Sequence, residues 1–465
     1  MFRAVEIPLW LLILVLLFAA VTFLSHFLFP SVRWFFRRRM ERAVAELNKR
    51  LQRPIQPFKL ARRHDTIQRL VYDREVLAAV TEHAAEEGIP ENVAMERARR
   101  YAREIVPSFS TVVYYRFATR AARWLSRKLY DVRVDERSRA ALERVDPDAT
   151  VIFVMNHRSN MDYVLITYLV AENSALSYAV GEWARVWPLS WLIRSMGAYF
   201  IRRKSRNALY RRVLARYVQM ATEAGVTQAF FPEGGLSLDG RIGTPKLGLL
   251  SYVLADFDPE EGRDVVFVPV ALNYDRVIED RVLTEAAAHG ERRFRASIAQ
   301  SLWFPIRYTW RRLRKRAVRF GQVGVRFGAP MSMRRYMRQH PGASVKAVGE
   351  ELRNRVRVVL PVLAVPLTAF IVARAGGTIS RADLRARASM LLTQLSNPLV
   401  EGDADEVLRV GLASLTSRRI LRESGDFILS VPENASLLDY YANSVAWVFE
   451  RSEKGRMDVG KSAET

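Results

Sequence analysis

A histidine and an aspartate five positions apart, His157 and Asp162, stand in the stretch VIFVMNHRSNMDYVLI over residues 151–166. A carboxylate that holds one imidazole nitrogen fixes the tautomer of the ring and leaves the other nitrogen as a base near neutral pH. The spacing allows this only if the two are not both helical, since positions five apart on a helix do not share a face. The flanking residues supply the break. Val151 to Met155, with Thr150 ahead of them, form an apolar run that predicts a buried strand of an α/β sheet. Ser159 and Asp162 have the spacing of a capping box ahead of Tyr163-Val164-Leu165-Ile166, which predicts a helix start. His157 then lies in a loop at the C-terminal end of a strand, where open α/β sheets bind ligands, and Asp162 lies in the first helical turn. On this stretch alone a capped loop histidine with a structural role is the plainer reading.

Other residues carry compatible chemistry. Glu233 follows an apolar run and precedes Gly234 and Gly235, which permit close approach of backbone to a ligand. Arg202 and Arg203 offer planar, permanently charged forks of the kind that hold phosphate, although a surface arginine pair reads equally well. A nucleophilic serine is not indicated, because Gly235-Leu236-Ser237-Leu238-Asp239 breaks the G-x-S-x-G pattern. The absence of cysteine removes disulfides, thiolate metal sites and a cysteine nucleophile together. His64 beside Asp65 sits in a charged stretch with no flanking strand and reads as a solvated pair.

In order along the chain, NHRSNMD (156–162), GAYFIRR (197–203), FPEGG (231–235) and VPVALNY (268–274) closely resemble the four signature blocks of the glycerolipid acyltransferase superfamily. The nearest pattern is that of the bacterial membrane-bound glycerol-3-phosphate acyltransferases. The resemblance covers roughly 151–330, with echoes at Asp439-Tyr440-Tyr441-Ala442-Asn443. It implies transfer of a fatty acyl group from a thioester, acyl-CoA or acyl carrier protein, to the hydroxyl of glycerol 3-phosphate by direct attack and without a cofactor. The family's catalytic pair falls on His157 and Asp162, its acceptor-binding arginine on Arg202, and Glu233 with Ser237 belongs to the acceptor site. Arg158, Ser159, Tyr199 and Gly234 lie in or beside the same blocks and are expected to line it. Pro269 is expected beside the site, in an edge or bulged strand. The family's arginine after the two glycines is replaced by Leu236, and Leu238 replaces another basic residue, so Arg241 or Lys246 is expected to substitute. Asn160 and Tyr199 stand where the family more often has His and Phe. Lysophosphatidate or another lipid is the alternative acceptor. An idle membrane-surface scaffold is the alternative from another class, and a scaffold needs none of His157, Asp162 and Glu233.

The elements that position these residues are legible around them. The 465 residues, with ordinary apolar and charged fractions, suit two or three folded domains, and a formal charge of +23 points to anionic lipid, nucleic acid or acidic carrier substrates. Ile7–Phe29 carries no Lys, Arg, Asp or Glu and is about 35 Å long as a helix, enough to cross a bilayer. Arg33, Arg37, Arg38, Arg39 and Arg42 follow it, which by the positive-inside rule puts the N-terminus outside and the remainder in the cytoplasm, at the inner membrane. Arg292 to Phe320 has ten Lys or Arg, no acid and interleaved aromatics, and is expected to be a membrane-surface segment that binds lipid and not nucleic acid. The expected fold is α/β, a mixed, mostly parallel sheet flanked by helices, with an N-terminal membrane helix and helical N- and C-terminal regions. Its divisions are 1–40 anchor and basic flank, 41–135 helical, 136–335 acyltransferase domain and 336–465 helical. Strands are expected at 176–180, 226–231, 265–272 and 323–327, helices from Leu209 and from Thr244-Pro245, a core or interfacial helix over 358–373, and a loose tail beyond Ser452.

Overall fold

The computed structural model describes residues 8–135, 140–171, 173–181, 187, 189–202, 205, 207–289, 319–395, 399–400 and 402–462. It divides into two units, Met1–Pro54 and Ile55–Thr465. The first is a single helix, Leu9–Arg50. It contains the stretch expected to span a membrane, yet among the described residues no helix is long and apolar enough to cross one. The basic, aromatic segment over 290–318 lies outside the described residues.

The second unit is built on one mixed sheet. Its strands are β1 (Asp131–Val134), β2 (Thr150–Met155), β3 (Ser177–Gly181), β4 (Tyr199–Ile201), β5 (Gln228–Phe230), β6 (Val265–Tyr274), β7 (Gln322–Phe327) and β8 (Met331–Ser332). They lie in the order β1-β7-β6-β2-β5-β3-β4, with β8 also on β6. β2 runs parallel to β5 and β6, and β3 runs parallel to β4 and β5. Those five strands therefore end on the same edge. β7 and β8 run antiparallel to β6, which makes the sheet mixed.

The apolar run of β2 is continuous because both faces are covered. Ile152 and Val154 join a core with Ala94, Ala98, Ala102, Leu209, Val213 and Val356. Val151, Phe153 and Met155 join a second core with Ile166, Leu367, Phe370, Val445 and Phe449. Alternate residues of a strand point to opposite faces, so one six-residue strand serves two helical layers. On the first face, Ala94, Ala98 and Ala102 form the small buried stripe of helix Glu91–Ile105, which lets helix Ala208–Glu223 approach. On the second face lie helices Ala364–Arg374 and Ala435–Ser462.

Several expectations need correction. β1 was not anticipated, and the C-terminal region is not wholly helical: β9 (Thr378–Ser380), β10 (Leu421–Ser424) and β11 (Phe427–Ser430) form an antiparallel sheet in the order β10-β11-β9. The tail beyond Ser452 continues helix Ala435–Ser462. No helix starts at Thr244-Pro245. The next one is Gly248–Leu254, because Lys246 N–H is spent on Pro232 O at 2.7 Å. Pro269 sits in a central strand, not an edge, and the bulged alternative holds: residues 268 and 269 of β6 face three residues, 328–330, between Phe327 and Met331. The Pro269 carbonyl accepts from Gly328 at 2.6 Å, at the seam where β7 gives way to β8, so its missing N–H falls where β6 has no strand partner on that side.

Candidate active site

The end of β2 is held in place before His157 is reached. Asn156 extends the ladder with its side chain, donating to Leu272 O at 2.9 Å and accepting from Leu272 N at 2.8 Å. The chain then turns, and His157, Arg158, Ser159 and Asp162 are all buried. His157 Nδ1 lies 3.0 Å from Asp162 Oδ2. The same oxygen accepts from Arg158 N at 2.7 Å and Ser159 N at 3.0 Å, and Oδ1 accepts from the Tyr274 hydroxyl. The carboxylate thus reaches back from the first turn of helix Met161–Val170 to the backbone, the acidic half of a capping box. Ser159 Oγ does not complete the box and instead accepts from Met161 N at 3.1 Å. The imidazole stacks on Phe231, with centroids 4.0 Å apart, and meets Tyr163 edge-on at 5.3 Å.

Glu233, after β5, closes on the same loop. It accepts from His157 N at 2.9 Å through Oε1 and from Gly243 N at 2.9 Å through Oε2. Burial pushes its carboxyl up to about 7 against these bonds and the nearby Arg158 charge. Ser237 donates its N–H to His157 O at 2.9 Å, and its hydroxyl donates to Arg241 O at 2.7 Å and accepts from Gly240 N at 3.1 Å. Residues 233–246 therefore form a strap laid against the histidine loop. Leu236 and Leu238 turn inward onto the core. Gly240 has φ of +90°, and a Cβ there would stand 1.9 Å from Tyr440 O, so the strap touches helix Ala435–Ser462 with no room for a side chain.

The sequence-predicted residues fall into two groups. His157, Asp162, Arg158, Ser159, Glu233, Gly234 and Ser237 come together, and Arg241 and Lys246 lie on the strap. Arg202 and Tyr199 do not join them. β4 is three strand spacings from β2, about 14 Å. Arg202 makes a bidentate pair with Glu104, at 2.8 and 2.6 Å, between the rings of Tyr101 and Tyr210. Tyr199 is buried against Tyr217 on the face of the N-terminal helices, and burial raises its hydroxyl pKa. Arg203 lies outside the described residues.

Sequence reasoning missed Tyr274 as the donor to Asp162, although it closes the fourth block. It also missed Glu279, which accepts from Ser159 Oγ at 2.8 Å, Asn160 N at 3.2 Å and Asn160 Nδ2 at 3.1 Å and is pushed up to about 6 by burial. His64 and Asp65 are exposed and 3.8 Å apart, the solvated pair expected. The assembled site can abstract a proton. Nδ1–H donates to Asp162, so Nε2 carries the lone pair, and Asp162 stabilises the imidazolium that forms.

Two family descriptions match this chain: Acyltransferase over 133–273, and Glycerol-3-phosphate acyltransferase C-terminal region over 302–451. It is 29% identical to a glycerol-3-phosphate acyltransferase from Pseudomonas putida (strain W619) over 84% of this chain and 49% of that protein. It is 31% identical to the one from Ectopseudomonas mendocina (strain ymp) over 63% of this chain and 35% of that protein. The matched stretch is thus half or less of the length of either relative. The solved structure of a 1-acyl-sn-glycerophosphate acyltransferase from Thermotoga maritima aligns over 60% of this chain and 95% of its own at 22% identity, with a TM-score of 0.29.

Proposed function

From the premise that this chain carries an acyltransferase region followed by the C-terminal region of glycerol-3-phosphate acyltransferases, we propose that it transfers a fatty acyl group from acyl-CoA or acyl carrier protein to the hydroxyl of glycerol 3-phosphate. The observation that carries this reading is the 3.0 Å contact of His157 Nδ1 with an Asp162 held by three further donors, at the end of a parallel strand. His157 Nε2 takes the proton of the acceptor hydroxyl as its oxygen attacks the thioester carbonyl. A C–O bond forms, the C–S bond breaks, and the proton passes to the departing thiolate. No covalent enzyme intermediate and no cofactor are needed. Glu233 and Ser237 shape the acceptor side by fixing the strap against the histidine loop.

The same reading places the protein at the inner membrane. What supports it is sequence alone: the apolar run over 7–29, the arginines that follow it, and the ten Lys or Arg of 292–320 as charge complementary to anionic headgroups. The test is an assay of purified protein with labelled acyl-CoA and acyl carrier protein against glycerol 3-phosphate, lysophosphatidate and glycerol separately. Transfer to glycerol 3-phosphate above the others is the expected result. Preference for lysophosphatidate would move the reaction one acylation later, and no transfer to any would end the reading.

A further inference from the structure

Arg158 is buried to 2% exposure, yet its Nε and Nη2 have no hydrogen-bond partner, while Nη1 donates to Gly240 O. A buried guanidinium is costly to leave unpaired, and its planar fork fits an anion with two oxygens to offer. What holds it there is the ring of Tyr440, 4.6 Å from the guanidinium carbon. Tyr440 opens a series on helix Ala435–Ser462. Three residues on, Asn443 Oδ1 accepts from Arg241 Nη2 at 3.1 Å and its Nδ2 donates to Asp239 O at 3.0 Å. Seven residues on, Trp447 carries the guanidinium of Arg357 over its ring at 6.0 Å. Positions i, i+3 and i+7 share a helical face. Arg357 also donates to Ilе242 O at 3.0 Å, and burial together with Arg353 lowers its pKa. All three arginines therefore meet one stretch of strap, Gly240 to Ile242, and Arg158 and Arg357 both feel the charge of Glu233.

We propose that this face of the C-terminal helix, Tyr440, Asn443 and Trp447, gathers Arg158, Arg241 and Arg357 into the wall that binds the phosphate of the acceptor, in place of the arginine that Leu236 lacks. The inference rests on the acyl-transfer reading for its ligand, a phosphomonoester dianion, and assigns the C-terminal region a direct part in acceptor specificity. Arg202 is already paired with Glu104 and is not needed for it.

The test uses the full-length protein. Binding of glycerol 3-phosphate and of inorganic phosphate is measured by calorimetry, which needs no turnover, and KM is measured for acceptor and donor separately. Arg158→Gln and Asn443→Ala are expected to weaken phosphate binding and raise the acceptor KM by about tenfold or more, the loss of a charged hydrogen bond, with donor KM moving much less. Tyr440→Leu is expected to do the same, and Tyr440→Phe to restore most of the affinity, because the ring is kept and the lost hydroxyl has no partner. Acceptor affinity that is indifferent to all three arginines, in protein that still transfers acyl groups, overturns the inference and leaves the acyl-transfer reading standing. Arginine-dependent phosphate binding without transfer to any acceptor does the reverse. A Tyr440→Phe protein as weak as Tyr440→Leu also counts against it.

Discussion

Glu233 holds the backbone N–H of His157, at 2.9 Å, and leaves the ring to Asp162. With its second oxygen on Gly243 it ties the strap to the catalytic loop. Glu233→Gln keeps the size but turns an amide NH2 against one of two N–H donors. Losing one such bond is worth about 1.5–3 kcal/mol, so kcat should fall by about 10–100-fold in steady-state assays. Unchanged kcat would mean that the carboxylate does not hold the loop.

For the catalytic pair the expected losses are larger. His157→Ala removes the base and Asp162→Asn the group that orients it, and each should lower kcat by about 10²–10⁴-fold. Circular dichroism checks that both still fold, since Asp162 also anchors three neighbours. Near-normal turnover in folded His157→Ala protein would remove the histidine from the mechanism.

Tyr274 donates to Asp162 from β6, the strand beside β2. Tyr274→Phe leaves a buried carboxylate oxygen one donor short. Denaturant unfolding should show a loss of about 1–3 kcal/mol, with kcat reduced less than in Asp162→Asn.

Burial sets a pH trend in stability. Asp275 and Glu279 are pushed up to about 6 and Glu233 to about 7. An acid raised in the folded state binds more protons folded than unfolded. Its stabilisation is present below the unfolded pKa, near 4, and is lost as pH rises through the folded value. These three groups should lower the melting temperature between about pH 4.5 and 7.5. Asp275 accepts from Gln322 N and Val365 N, and Asp275→Asn should flatten part of that fall. A slope identical to wild type in calorimetry would contradict the assignment.

Arg202→Ala breaks a bidentate pair with Glu104 and two ring contacts, a partly buried arrangement worth about 1–2 kcal/mol of stability. It should shift the unfolding midpoint, while raising the acceptor KM less than Arg158→Gln does. The opposite ranking would return the phosphate to Arg202.

The catalytic loop was legible because everything that shapes it is local. β2 announces itself as an apolar run, and Asp162 reaches His157 within five residues. The strands β3, β5, β6 and β7 were legible for the same reason. What was hidden lies in tertiary pairing. Tyr274 and Glu279 reach the loop from 112 and 119 or 120 positions away, and no local spacing marks those pairings. The Thr244-Pro245 helix start failed because the strap's N–H groups are claimed by Pro232 and Glu233 before a helix can use them. β10 and β11 are short and mostly unburied, with Arg422, Glu423 and Ser424 exposed, so no apolar alternation marks them.

The pairing of β6 with β7 crosses from one matched family region to the other. β6 ends at Tyr274, and its last five residues are zipped antiparallel to β7. Asn273 then donates to Pro361 O at 2.9 Å, and Val277 N donates to the Tyr441 hydroxyl at 3.1 Å. Exchanging either region alone would have to preserve these contacts. A hybrid joined between residues 274 and 320 would put the catalytic loop from one ancestor beneath the sheet edge and helices of another. Compatibility across that seam, more than the signature blocks themselves, decides which recombinants remain whole.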